Sequence, residues 1–205
     1  MMYRLHDSKL SGNAWKVRLL LSRLGIPFER ITYVLPEGKT RQPSFLRMHA
    51  LGKVPVLETP SGEHLFESNA ILCLLAQGTD MLPDGFAHAQ VMQWLFFEQS
   101  EVLKPFASAR YWISIARRAH EKIDEISAWH LAGKRVLSIL NTHLATRRFM
   151  VAERYSIADI ALFVYVSMAP EGGYDLTPFP NVTDWITRIR SQAGFVPLTH
   201  EEAVA

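Results

Sequence analysis

Residues Gly52–Ala70 read GKVPVLETPSGEHLFESNA, and this stretch decides the fold. An apolar run at Val54–Leu57, a Pro60-Ser61-Gly62 turn, a second run at His64–Phe66 and a helix start at Glu67-Ser68 follow one another. They predict strand, hairpin turn, strand and helix, because Pro, Ser and Gly set φ or bond their own backbone. Pro55 falls at the start of the first strand, where its missing N–H is a handicap for sheet pairing. X-Pro is also the bond at which the cis form is cheap. A cis Val54–Pro55 bond would turn the Val54 backbone groups outward, free to pair with a visiting peptide. Glu67-Ser68 would expose backbone N–H groups at a helix N-terminus, a natural site for a carboxylate. Together the two features suit an extended, acidic small peptide. A tight proline turn followed by an ordinary helix cap fits the same residues.

Upstream, Met2–Leu5 is strand-like and residues 6–13 form a polar, glycine-bearing loop. Ala14–Leu24 places Val17, Leu20, Leu21 and Leu24 at helical spacing, with Gly25 to end the helix. Phe28–Val34 reads as a second strand, so the first two strands should be parallel, joined by a right-handed crossover. After a loop at 36–40, a short helix spans Pro43–His49, and another follows the hairpin at Ser68–Gln77. The sum is βαβαββα. Gly78–Ala87 concentrates Gly, Pro and Asp and reads as a linker. Beyond it the pattern is helical: Gln90–Ile115, interrupted at Pro105, then Glu121–Thr146, Ser156–Met168 and Asn181–Gln192. Ser156 and Asp159 form a capping box ahead of an apolar run, with Tyr155 and Ile160 placed for a hydrophobic staple. The expected organisation is a domain over 1–77, a linker over 78–87 and an all-helical domain over 88–205.

The 205 residues carry a formal net charge of +2 and one cysteine. Near-balanced charge, with Arg pairs at 117–118 and 147–148 too short to be a basic tract, argues against a nucleic-acid partner. A single cysteine excludes a disulfide framework and any Cys-x-x-Cys centre. The start of the chain lacks a signal-peptide pattern, and no apolar run reaches the roughly 18 residues of a membrane span. The expected compartment is therefore the cytoplasm, with no membrane partner. The eight histidines are scattered without a helical His-x-x-x-His pair, so no metal site is expected.

Gly52-Lys53-Val54-Pro55, followed by Leu65-Phe66-Glu67-Ser68-Asn69-Ala70-Ile71-Leu72, resembles the glutathione-binding half of the cytosolic glutathione S-transferase superfamily. The Ser156–Asp159 box and Phe179–Trp185 extend the likeness to the second half. The resemblance implies a thioredoxin-like N-terminal domain followed by an all-α helical bundle. It also implies glutathione as co-substrate, with the Val54-Pro55 loop pairing with its cysteinyl backbone and Glu67-Ser68 holding the γ-glutamyl end. Lys53 and Lys39 become candidates for the glycine carboxylate. Glu101, with Glu98 as competitor, becomes the candidate for a contact to the γ-glutamyl ammonium across a homodimer. Trp15, Phe106, Arg110, Tyr111 and Trp112 would line a pocket between the domains for a hydrophobic electrophile. Cys73, among apolar helical neighbours, is expected to be a buried and inert thiol.

A glutathione enzyme must make a thiolate. A free thiol has a pKa of about 8.5, and lowering it by two units requires about 2.7 kcal/mol. One hydrogen bond to a charged group supplies about 1.5–3 kcal/mol, and a helix N-terminus adds about 0.3–1 kcal/mol. A hydroxyl or amide at the start of the first helix therefore suffices, and Ser11 and Asn13 stand there. In the serine/asparagine-type bacterial branch that the chain resembles, this loop supplies the thiolate donor, which assigns Ser11 first and Asn13 second. From residue types alone, either side chain serves equally as a helix cap.

Two departures from the family pattern stand out. His49-Ala50-Leu51-Gly52-Lys53 replaces the usual Asn-Pro-x-Gly-Lys, and Gly12 stands where some branches carry proline. Three activities fit the resemblance. These are detoxifying conjugation of glutathione to an electrophile, glutathione-dependent peroxidase or disulfide-bond reductase chemistry, and a transferase-like binding or regulatory protein without catalysis.

Overall fold

The computed structural model describes residues 2–199. Contacts divide the described chain into two units, residues 2–77 together with 193–199, and residues 78–192.

The first unit runs β1 (Tyr3–Asp7), α1 (Gly12–Arg23), β2 (Phe28–Thr32), α2 (Pro43–Leu46), β3 (Val56–Glu58), β4 (His64–Phe66) and α3 (Ser68–Ala76). The sheet order is β2-β1-β3-β4. β1 and β2 are parallel, with Tyr3 opposite Phe28, while β3 pairs antiparallel with both β1 and β4. This is the thioredoxin-like arrangement that the order of elements predicts. β1 differs from expectation by running on through His6 and Asp7, both buried. The polar pair reads as loop, yet His6 bonds the Tyr33 hydroxyl through Nδ1 at 2.9 Å, and Asp7 takes two arginines. Satisfied polar groups can continue a strand into the interior.

α1 is buried nearly all round, from Ala14 to Leu21. Its outer side is covered by the end of the chain. The Trp15 indole N–H donates to the Val196 carbonyl at 2.7 Å, and Arg18 donates to the Leu198 carbonyl at 2.8 Å. Phe195 meets the Trp15 ring edge-on at 6.3 Å. The tail, assigned from sequence to the helical domain, thus packs on the first unit. Its polar and proline-bearing residues carry no helical period, so only the contacts reveal its place.

The loop into β3 is held by His49. Its buried ring stacks on Phe66 at 4.4 Å, and Nδ1 accepts the Leu51 N–H at 3.2 Å. This is the short-range bond that an Asn side chain makes in an Asx turn. Gly52 follows at φ +62°, and a Cβ there would lie 2.6 Å from the Thr40 carbonyl oxygen. No other residue fits.

The second unit runs α4 (Gly85–Phe97), α5 (Leu103–Arg110), α6 (Ile123–Leu144), α7 (Ile157–Ser167) and α8 (Pro180–Arg190). α4 begins inside the stretch read as linker. A wide π-type turn at Glu98–Val102 separates α4 from α5, and a second spans Tyr111–Ile115. The interruption expected at Pro105 therefore falls just ahead of it, in the turn whose carbonyls the proline cannot bond. α7 is apolar and buried on every side, as its sequence implies. The capping box forms, with the Ser156 N–H donating to Asp159 Oδ2 at 3.0 Å. Asp159 Oδ1 also accepts from the Met150 N–H and the Trp185 indole, each at 2.9 Å. No helix among the described residues is long and apolar enough to cross a membrane.

Two outcomes follow from these contacts. Gly194 sits at φ +78°, and an added Cβ would lie 2.8 Å from the Arg23 Cα and 2.9 Å from the Ser22 oxygen. Gly194→Ala should cost about 1–3 kcal/mol in urea unfolding, and a change under 0.5 kcal/mol would show that the tail does not press on α1. Burial lowers the pKa of His49, reinforced by Lys53 and opposed by Glu67. Below pH about 6.5 the unfolded chain then binds protons that folded His49 refuses, so stability is lost as pH falls from there. His49→Asn should flatten the fall in unfolding free energy between pH 7 and 5, leaving the shares of His6 and His143, whose pKa values burial also lowers.

Candidate functional site

The N-termini of α1 and α3 meet. Ser11 is the N-cap of α1, in extended backbone (φ −76°, ψ 113°), and its Oγ accepts the Ala14 N–H at 3.2 Å. Accepting that bond uses a lone pair and leaves the hydroxyl proton, for which no acceptor lies among the described residues. Capping and donation are therefore compatible at Ser11. One turn into α1, the Asn13 Oδ1 accepts from the Ser68 hydroxyl at 3.5 Å. Lys16 Nζ donates to the same Ser68 oxygen at 3.4 Å. Ser68 is the first residue of α3 and is buried, while Lys16 has no solvent exposure at all.

Lys16 was missed in the sequence. A lone lysine in a helix reads as surface, and the available signal was its spacing of three from Asn13 among the apolar Trp15, Val17 and Leu19.

The Val54–Pro55 bond is cis. The β3 ladder begins at Val56, opposite His6 and Phe66, so Val54 stands ahead of it, half-buried. Glu67, between β4 and α3, adopts φ 69° and ψ 109° with its side chain exposed. A non-glycine residue held in such a region costs on the order of 1–3 kcal/mol, and such residues cluster at ligand sites. Lys53 is exposed beside this loop. Lys39 is exposed too, and it pairs with Glu37 at 3.0 Å. The structure therefore joins Asn13 to Ser68 directly, and it shows no such contact for Lys39.

In the second unit Glu101 lies exposed on the π-type turn, whereas its competitor Glu98 is fully buried and bonded by the Gln99 amide at 2.7 Å. Only Glu101 is within reach of another molecule. Among the residues expected to line an electrophile pocket, Trp15, Phe106 and Arg110 are buried. Phe106 stacks on Tyr174 at 4.6 Å, and Arg110 pairs with Glu171 at 2.7 Å. Tyr111 is exposed, and Trp112 lies under Arg118 and Lys122. Cys73 is half-buried, and burial raises its thiol pKa. Among the described residues no three His, Cys, Asp or Glu side chains are grouped to hold a metal ion.

Comparison with known proteins bears on the family. The N-terminal domain of glutathione S-transferases matches residues 10–77, and the C-terminal domain matches residues 132–193. A crystal structure of a glutathione S-transferase from Pseudomonas fluorescens superposes with a TM-score of 0.95 at 37% identity, covering 98% of this chain and 100% of that one. A possible glutathione S-transferase from Rhodopseudomonas palustris gives a TM-score of 0.95 at 35% identity, with the same coverage of 98% and 100%. Elongation factor 1-gamma of Danio rerio is 38% identical over 169 residues, which is 77% of this chain and 36% of that protein. The chain thus spans little more than a third of the length of that relative. Matched over residues 10–77 and 132–193 and superposed over 98% of its length, the chain belongs to the glutathione S-transferase superfamily.

Proposed function

We propose that the chain is a glutathione S-transferase that ionises the glutathione thiol for attack on a hydrophobic electrophile. The observation that carries this reading is the Ser11 hydroxyl, fixed by its cap bond at a helix N-terminus with its proton still to give. In this reading the thiol proton passes to solvent, and the Ser11 hydroxyl donates to the sulfur anion, with the Asn13 amide beside it. The Val54 backbone pairs with the cysteinyl unit, Glu67 and Ser68 take the γ-glutamyl end, and Lys53 takes the glycine carboxylate ahead of Lys39. The sulfur lone pair then forms the bond to the electrophile as its leaving group departs. The chain's share is orientation and a lowered thiol pKa. Exposed Phe66 in the first unit and Phe96 in the second support a homodimer, and Glu101 is the candidate for a contact across it. We place the reaction in the cytoplasm.

A second reading, a transferase-like binding module, draws support from the match to elongation factor 1-gamma. Peroxidase or disulfide reductase chemistry would use the same thiolate and yield oxidised glutathione instead of a thioether.

The test is a pH titration of glutathione thiolate absorbance with wild type, Ser11→Ala and Ser11→Thr. Wild type should lower the bound thiol pKa by one unit or more, Ser11→Ala should abolish the shift, and Ser11→Thr, which keeps both cap and hydroxyl, should retain it. Binding without a shift would favour the module, and absence of binding would end the glutathione reading.

A further inference from the structure

The ammonium of Lys16 is fully buried beside the meeting helix N-termini. Removing a charge of this kind from water costs several kcal/mol unless its surroundings offset it. Lys16 lies one turn from Asn13 on α1, and its nitrogen reaches across to the Ser68 hydroxyl.

The chemistry of these three groups favours one direction for the hydrogen bonds between them. An ammonium has three donors and no acceptor, so at Lys16 the Ser68 oxygen must accept. That takes one of the two Ser68 lone pairs and leaves its proton to give, and the acceptor recorded for that proton is Asn13 Oδ1 at 3.5 Å. With Oδ1 engaged, the Asn13 amide can present only its N–H2 group to whatever sits at the N-terminus of α1. An uncharged, apolar side chain at position 16 imposes no such order. Ser68 could then accept from the Asn13 amide, which would turn the carbonyl oxygen toward the site and repel an anion there.

We propose that Lys16 is a positioning residue that sets the polarity of the Lys16–Ser68–Asn13 chain, so that Asn13 offers donors to the thiolate of bound glutathione. The positive charge acts in the same sense, favouring an anion at the site. This inference rests on the glutathione reading above.

The test compares wild type with Lys16→Met, Lys16→Arg and Ser68→Ala, reading the pKa of bound glutathione by thiolate absorbance and its dissociation constant by calorimetry. Thermal unfolding serves as the control for folding. Lys16→Met should bring the bound thiol pKa back toward the free value by at least half a unit. Lys16→Arg, which also only donates, should restore the wild-type value even if its stability is lower. Ser68→Ala removes one methyl-sized polar link, and it should raise the bound thiol pKa and weaken binding several-fold while remaining folded. This keeps the inference testable if Lys16→Met does not fold. A wild-type shift that survives in Lys16→Met, or in Ser68→Ala, overturns the role of Lys16 and leaves the transferase reading standing. Failure of wild type to bind glutathione overturns both.

Discussion

The first unit hangs on one buried carboxylate. Asp7, at the end of β1, has no exposure; its Oδ2 accepts from Arg30 Nε at 2.6 Å and forms an ion pair with Arg18, 3.0 Å from its Nε, while the Ser8 N–H bonds its other oxygen. Arg30 stands on β2 and Arg18 on α1, and the other end of the Arg18 guanidinium holds the Pro197 and Leu198 carbonyls at 3.4 and 2.8 Å. Burial raises the Asp7 pKa, and both guanidiniums oppose that rise. Such a cluster is weak evidence for net stability, since apolar residues of equal volume often do as well. Its use is geometric. An arginine fork accepts few orientations, so strand, helix and tail are tied in one register.

That register matters because the candidate site stands on the same helix. Ser11, Asn13 and Lys16 occupy the cap and first turns of α1, and Arg18 lies just beyond them. A catalytic hydrogen bond tolerates roughly half an ångström of error. The donors proposed at Ser11 and Asn13 could meet that tolerance only if the helix cannot slide or roll, and Asp7 on one side and residues 193–198 on the other oppose both. The opposing wall is set as firmly. Gly52 admits no side chain, His49 ties its loop to Phe66, and Glu67 is held in a costly backbone conformation ahead of Ser68.

Local features were legible in the sequence because local chemistry produces them. The hairpin with its proline, the parallel first pair of strands, the Ser156–Asp159 box and the all-apolar α7 were readable in this way. What escaped depends on partners far along the chain. His6 and Asp7 look like loop residues until Tyr33, Arg18 and Arg30 are brought to them. Residues 193–199 have no period to reveal that they cover α1. The π-type turns at 98–102 and 111–115 leave no mark that distinguishes them from ordinary helix. Lys16 was invisible for the same reason as Asp7: a charged side chain reads as surface until its buried partner, here Ser68, is known.

The sequence also framed Ser11 as either a cap or a donor, and the geometry removes that choice. A hydroxyl has lone pairs and a proton, the cap takes a lone pair, and the proton remains. It follows that the cap bond at Ser11 does not stand against the donor role proposed for its hydroxyl. Lys16 says more. A helix cap has no need of an ammonium buried nearby, and burying one is costly unless its surroundings offset it. A buried charge that can only donate, placed so that it favours its neighbours' donors facing the helix N-terminus, accords with the proposal that an anion is held there. Within the first unit, the proposed role of Lys16 is what would set a site for an anion apart from a fold that merely contains the same helix.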